Sequence, residues 1–189
     1  QQRETRQAKM DSKKKKVILR KKQKVLAKQV RTTTSIVCGT ENPASLGCIF
    51  YQLENGELAT KFTAREIHEG HDNIMHGGMS GAVLDEVMGR CNFITDENGN
   101  TYNPYVTAEM TVKYLKPIPV GSEMRAFGRI DRKEGRKNFN SGEIINAQGE
   151  VMATSTGVYV AVSTIRDSNN EDDKAEQLDP LGPEDPVEM

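Results

Sequence analysis

Apolar and polar positions alternate with period two in "LGCIFYQLENGELATKFTA", residues 46–64. Ile49, Tyr51 and Leu53 fall on one side of a strand, with Cys48, Phe50 and Gln52 on the other. Asn55-Gly56 supplies the positive φ angles that a tight turn needs, and Leu58, Thr60 and Phe62 alternate on the return strand. After a polar loop the period changes. From about Gly78 to Phe93, Leu84, Val87, Met88 and Cys91 recur at helical spacing, beside Ala82 and Val83. Gly81 and Gly89 lie inside this helix, where each costs about 1 kcal/mol relative to Ala. Tolerating both predicts that another backbone approaches closely.

Past "DENGN" the period returns to two. "VTAEMTVKYLK" sets Val106, Ala108, Met110, Val112 and Tyr114 on one face, and Thr107, Glu109, Thr111 and Lys113 on the other. "PIPVGS" breaks the run. Three further strands follow in "EMRAFGRIDR", "KNFNSGEIIN" and "EVMATSTGVYVAVST", separated by turns at "KEGR" and "AQGE". Two strands, one helix and four strands with short connections suit antiparallel neighbours. The fold class expected is α+β, a curved antiparallel sheet wrapped around one long central helix.

Charge redraws the ends. Residues 1–31 carry 13 Lys/Arg against Glu4 and Asp11, a net +11. Residues 166–189 carry 9 Asp/Glu against Arg166 and Lys174, a net −7. We therefore divide the chain into a basic arm or helix (1–34), an organised domain (35–165) and an acidic tail (166–189). The tail's three prolines and few apolar residues predict disorder. "KKKKVILRKKQKVLAKQV" reads as a solvated helix or arm striped by Val17, Ile18, Val25, Leu26 and Val30. Residues 13–28 could also meet an anionic surface. No aromatic is interleaved there, so no nucleic-acid partner is expected. Three scattered cysteines form neither a disulfide framework nor a CxxC pattern. With no long apolar run, a cytoplasmic setting is the simplest expectation.

Four segments carry a resemblance: "VCGTENPASLGCIFY", "HEGHDNIMHGGMSGAVLDEVMG", "VTAEMTVKYLKPIPVG" and "EGRKNFNSGEIINAQGEVMAT". In this order the sequence resembles the hotdog-fold acyl-CoA thioesterases of the phenylacetic-acid-degradation type, from about Ser35 to Ser163. The resemblance implies thioester hydrolysis, with Asp85 as general base or nucleophile. It also implies a homodimer, alone or within a tetramer or hexamer, in which Asp85 faces the partner's glycines. Thr107 matches a hydroxyl position that helps hold the attacking water in some relatives. Two positions depart from the pattern. Ser35 stands where relatives often carry a second Cys, and Glu69 where they commonly carry Gln. An ionised Glu accepts hydrogen bonds and cannot donate one to a carbonyl oxygen.

Thioester hydrolysis requires polarising the carbonyl oxygen and delivering a nucleophile to the carbon. Unpaired N–H groups at a helix start suit the first task. Gly77 and Gly78 sit there and let a ligand approach the backbone. His76 precedes them and either fixes the helix entry or touches the thioester. Glu86 lies about 100° around the helix from Asp85, in a salt bridge or beside the substrate. His68, Glu69 and Asn73 complete the loop candidates for substrate binding. His68, His71 and His76 lack the carboxylate spacing of a catalytic zinc site, so neither metal nor cofactor is expected. Arg132, Lys133, Arg136 and Lys137 flank the "KEGR" turn and are candidates for the CoA phosphates. The alternatives are a non-catalytic acyl-CoA-binding module, motivated by Glu69 and the basic arm, and an enoyl-CoA hydratase.

Overall fold

Four helix residues, Val83, Leu84, Val87 and Met88, are completely buried, and the sheet is built around them. The computed structural model describes residues 20–95, 100–102, 104–162 and 176–189. Its elements are β1 (Val25–Gln29), β2 (Ile49–Leu53), β3 (Leu58–Thr63), a 3-10 turn (Glu66–His68), β4 (Glu69–His71), β5 (Ile74–Met75) and α1 (Gly77–Arg90). Then follow β6 (Ile94–Thr95), β7 (Asn100–Tyr102), β8 (Tyr105–Tyr114), β9 (Glu123–Glu134), β10 (Lys137–Asn146), β11 (Val151–Ala161) and β12 (Glu176–Asp179). One sheet runs β6-β7-β12-β1-β2-β3-β9-β10-β11-β8, with antiparallel pairing throughout, and β4 and β5 form a small hairpin apart. This is the expected α+β architecture, a large antiparallel sheet packed on one helix. β11 is flanked on both sides, by β10 and β8.

The inner layer joins α1 to Phe50, Phe62, Met124, Ala126, Ile144 and Tyr159. Helix and strand backbones meet at Gly128 of β9, where a Cβ would lie 2.5 Å from the Val87 carbonyl oxygen. The close approach expected at Gly81 and Gly89 is different in kind. Their nearest neighbours are side chains, Tyr114 Oη at 3.7 Å and Tyr159 Cε1 at 3.4 Å from the Cβ position. The helix glycines lie against tyrosine side chains at contact distance, and the strand glycine admits the helix backbone. In the β2–β3 turn Gly56 alone takes positive φ, +82°, so Asn55-Gly56 is not a two-residue mirror-image turn.

The ends depart from expectation. Val25 is 4% exposed and Leu26 56%, the alternation of a strand, and β1 pairs with β2. The basic segment is therefore sheet over these residues. Val17, Ile18 and the rest of 1–19 lie outside the described residues. The acidic tail is ordered from 176 onward: β12 pairs with β1 and β7. Lys28 Nζ donates to Asp185 Oδ2 at 2.7 Å, and Tyr51 Oη donates to Asp185 Oδ1 at 2.7 Å. Met189 packs on the outer sheet layer of Val25, Tyr51, Leu53 and Phe127. Apolar burial was the wrong criterion here, because ladder bonds and opposite charge on β1 hold the tail. Residues 166–175 of that tail lie outside the described residues. Arg20 extends the theme, pairing with Glu57 and Glu143 above the Phe127 ring. Among the described residues no helix is long and apolar enough to cross a membrane.

Candidate active site

Helix α1 begins at a histidine cap. His76 Nδ1 accepts the Gly78 N–H at 2.8 Å, satisfying one of the orphan donors of the first turn. Of the two glycine amides expected to polarise a carbonyl, Gly78's is thus engaged by the His76 ring. Among the described residues nothing accepts from the Gly77 N–H. His76 thus fixes the helix entry. Gly70 is bare for the same reason: a Cβ there would lie 2.6 Å from His76 Cδ2.

The other loop candidates separate. His68 is 3% exposed. Its Nδ1 accepts the Arg65 N–H at 3.0 Å, so its Nε2 carries the proton and donates to the Ala44 carbonyl at 2.9 Å. Both ring nitrogens are used inside the protein, which removes His68 as a substrate contact. Asn73 has φ of 59° and turns the chain between β4 and β5, its carbonyl accepting from Val120 N at 3.0 Å. Glu69 and His71 are exposed on β4. Among the described residues no three His, Cys, Asp or Glu side chains converge as metal ligands.

Asp85 is half-buried, on the side of the helix that faces β8 and β11. Thr107 Oγ1 donates to its Oδ1 at 2.7 Å, and Tyr159 Oη donates to the same oxygen at 3.1 Å. Strict alternation had put Thr107 on the face opposite Met110. The register between β8 and β11 shifts, with Val158 opposite Glu109 but Tyr159 opposite Thr107. The extra residue, Ala108, is a bulge that reverses the phase. Thr107 before it and Met110, Val112 and Tyr114 after it therefore share the helix side. Tyr114 reaches the helix start, where its Oη donates to the Gly77 carbonyl at 3.1 Å. Burial first, then the neighbouring Asp85 charge, raises the Tyr159 phenol above its ordinary value, so it stays a proton donor.

Glu86 points elsewhere. Arg90 Nε donates to Glu86 Oε1 at 2.7 Å in an i,i+4 pair, with the arginine side chain only 4% exposed. Arg90 also donates to Cys38 Sγ at 3.3 Å and to the Val30 carbonyl at 3.1 Å. Its guanidinium lies 4.8 Å from the Phe50 ring centre. This locks Glu86 into the packing between helix and N-terminal strands and removes it from the substrate candidates. The i,i+4 spacing of Glu86 and Arg90 is the sequence signal that such a pair carries. Tyr159 had no comparable signal beyond being an aromatic in a Val/Thr-rich strand.

The four basic candidates flank the β9–β10 turn. Lys133 pairs with Asn138, Asn138 with Tyr159, and Tyr159 with Thr107. These four residues form one row across the sheet, which puts Lys133 three strands, about 14 Å, from Thr107. Arg132 belongs to the other face: it lies 3.9 Å over the Phe139 ring and pairs with Glu134 at 3.0 Å. Arg136 and Lys137 are exposed at the turn.

Residues 72–153 match the family described as the thioesterase superfamily. The chain is similar to the acyl-coenzyme A thioesterase THEM4 of Xenopus laevis, 27% identical over 116 residues covering 60% of this chain and 49% of that protein. The chain thus spans about half the length of this curated relative. Among solved structures, a thioesterase superfamily protein superposes with a TM-score of 0.61 at 22% identity, covering 84% of this chain and 75% of its own. The Escherichia coli PaaI protein of the phenylacetic acid degradation operon gives 0.53 at 19% identity, covering 62% of this chain and 80% of its own. The shared fold is the hotdog.

Proposed function

We propose that this chain, a hotdog-fold member of the thioesterase superfamily, hydrolyses acyl-CoA thioesters to the free acid and CoA. One observation carries the reading: a half-buried carboxylate, Asp85, with one oxygen held by hydroxyl donors and no cation beside it among the described residues. A carboxylate held by neutral donors is oriented without a cation to cancel its charge, and can take a proton from water.

The oxyanion donor comes from a second copy. Gly77 and Asp85 are eight residues apart on one helix, about 12 Å along its axis. A carbonyl bond is only about 1.2 Å long, so its carbon cannot face Asp85 while its oxygen reaches Gly77 of the same chain. A homodimer resolves this by setting one protomer's Asp85 opposite the partner's helix start. β8 supports such pairing. It is a ten-residue strand at the end of the sheet order, with Val106 43% and Tyr114 58% exposed, and unpaired edges invite another strand. Water attacks the carbonyl carbon as Asp85 takes its proton, and the Gly77 N–H stabilises the developing oxyanion. The C–S bond then breaks, and the proton passes to the departing sulfur. Lys133 is the basic candidate best aligned with this row.

The competing reading is an acyl-CoA-binding module without turnover, favoured by the engagement of Gly78 with His76. A panel of acyl-CoAs with a thiol-reactive dye separates the two. Free thiol released by the wild-type dimer supports hydrolysis. Thermal stabilisation by acyl-CoA with no thiol release selects the binding module and overturns hydrolysis.

A further inference from the structure

Tyr159 lies outside every motif, yet it is 1% exposed and its hydroxyl meets the carboxylate that the proposed chemistry uses. Its ring occupies a slot between two bare positions. A Cβ on Gly157, two residues earlier on the same side of β11, would lie 3.0 Å from Tyr159 Cε2. A Cβ on Gly89 of α1 would lie 3.4 Å from Cε1. A side chain on Gly157 would therefore crowd the ring, and one on Gly89 would touch it from the helix side. The slot aims the hydroxyl at Asp85, where it also lies 3.2 Å from the backbone carbonyl.

Thr107 on β8 and Tyr159 on β11 both donate to Oδ1. Among the described residues Oδ2 has no partner. Two anchors from different strands stop the carboxylate from rotating about its Cβ–Cγ bond. The two oxygens thereby become inequivalent.

We infer that Tyr159 is a positioning residue for the hydrolysis: with Thr107 it fixes Oδ1 of Asp85 and leaves Oδ2 as the oxygen that accepts the proton from the attacking water. The inference rests on the thioesterase reading for its chemistry but not for its geometry. In the step, a water O–H bond breaks and its proton goes to Oδ2. The water oxygen forms the new C–O bond, and the C–S bond breaks as the proton leaves Oδ2 for the CoA sulfur. No other reactant is consumed.

Tyr159→Phe removes only the hydroxyl. We expect kcat to fall about tenfold, the size of one lost hydrogen bond to a charged group, with KM within twofold. Thr107→Val is expected to act in the same direction, and the double variant to approach Asp85→Asn. A kcat unchanged by Tyr159→Phe, or a loss appearing wholly in KM, overturns the inference.

A second measurement needs no turnover. Infrared difference spectra of the wild type against Asp85→Asn isolate the Asp85 carboxylate stretches, whose splitting reports unequal hydrogen bonding of the two oxygens. The splitting should narrow in Tyr159→Phe. An unchanged splitting sinks the positioning role even in an active enzyme, whereas a wild type that releases no thiol sinks the thioesterase reading and leaves this measurement standing.

Discussion

Asp85 and Glu86 are neighbours on one helix, and the protein treats them in opposite ways. Asp85 receives two neutral hydroxyls on one oxygen. Glu86 receives the guanidinium of Arg90, itself bonded to Cys38 and Val30 and stacked near Phe50. A step of about 100° around the helix separates an acid beside the exposed edge strand from an acid fixed in the packing. Hydroxyl donors orient a carboxylate and leave its charge for chemistry. A buried guanidinium cancels that charge and makes it structural.

The sharpest way to break the contrast is to neutralise each acid in turn. Asp85→Asn is expected to lower kcat about a thousandfold, in the range for losing a general base. Glu86→Gln should leave kcat within a few-fold for the folded protein. Thiol-release kinetics on the two variants check this. Equal losses would remove the distinction between the two carboxylates.

Stability should rank them in reverse. Glu86→Gln takes the Glu86 counter-charge away from a buried arginine. A fully buried broken pair costs about 3–5 kcal/mol. Because Glu86 keeps 29% exposure, about 2 kcal/mol is the expected loss once solvent screening is discounted. Asp85→Asn should change stability by less than about 0.5 kcal/mol, since both hydroxyls keep an amide oxygen to bond. Urea unfolding of each variant measures both values.

A third carboxylate extends the comparison to acid. Asp185 is held as Glu86 is, by a cation. The Lys28 hydrogen bond, first, and the Gly182 N–H bring it down from an ordinary 3.8 to about 2. A lowered carboxylate pKa contributes stability that is complete above the unfolded value and is lost as pH falls through the folded value. The C-terminal segment should therefore stay docked on β1 down to about pH 4 and loosen between that and pH 2. Protease sensitivity of this segment across the acid range reports it. In Asp185→Asn the segment should be loose already at neutral pH.

How much of this was legible in the sequence depended on how local the cause was. The β2–β3 hairpin, α1 and β8 to β11 announced themselves through periods of two and 3.6, because each buries a face. β1 and β12 did not. Their runs are short and charged, and their partners lie far along the chain. Asp85 was legible as an acid in an apolar helix, and Thr107 only through resemblance. Its face was misread because a bulge at Ala108 depends on the pairing of β8 with β11, which no local pattern encodes. Tyr159 was missed for a related reason: its role comes from two glycines, one on a strand and one on the helix, that lie against its ring. His68 looked chemical in sequence and is consumed by the backbone around it.

The mildest test concerns the helix face one turn before Asp85. Gly81 occupies a helix interior, where Ala is favoured by about 1 kcal/mol. The atoms nearest its Cβ position are Tyr114 Oη at 3.7 Å and Met110 Cε at 3.9 Å, ordinary contact distances that a methyl tolerates. Gly81→Ala should therefore raise stability by up to about 1 kcal/mol, seen as a small increase in Tm. If this face serves only the fold, thiol release is unchanged. If the acyl group lies along it toward Asp85, the methyl raises KM for acyl-CoA and leaves kcat alone. A gain in stability combined with a loss of substrate affinity would assign the missing side chain at Gly81 to the ligand. The same gain with no kinetic effect would confine the functional face to the turn that holds Asp85.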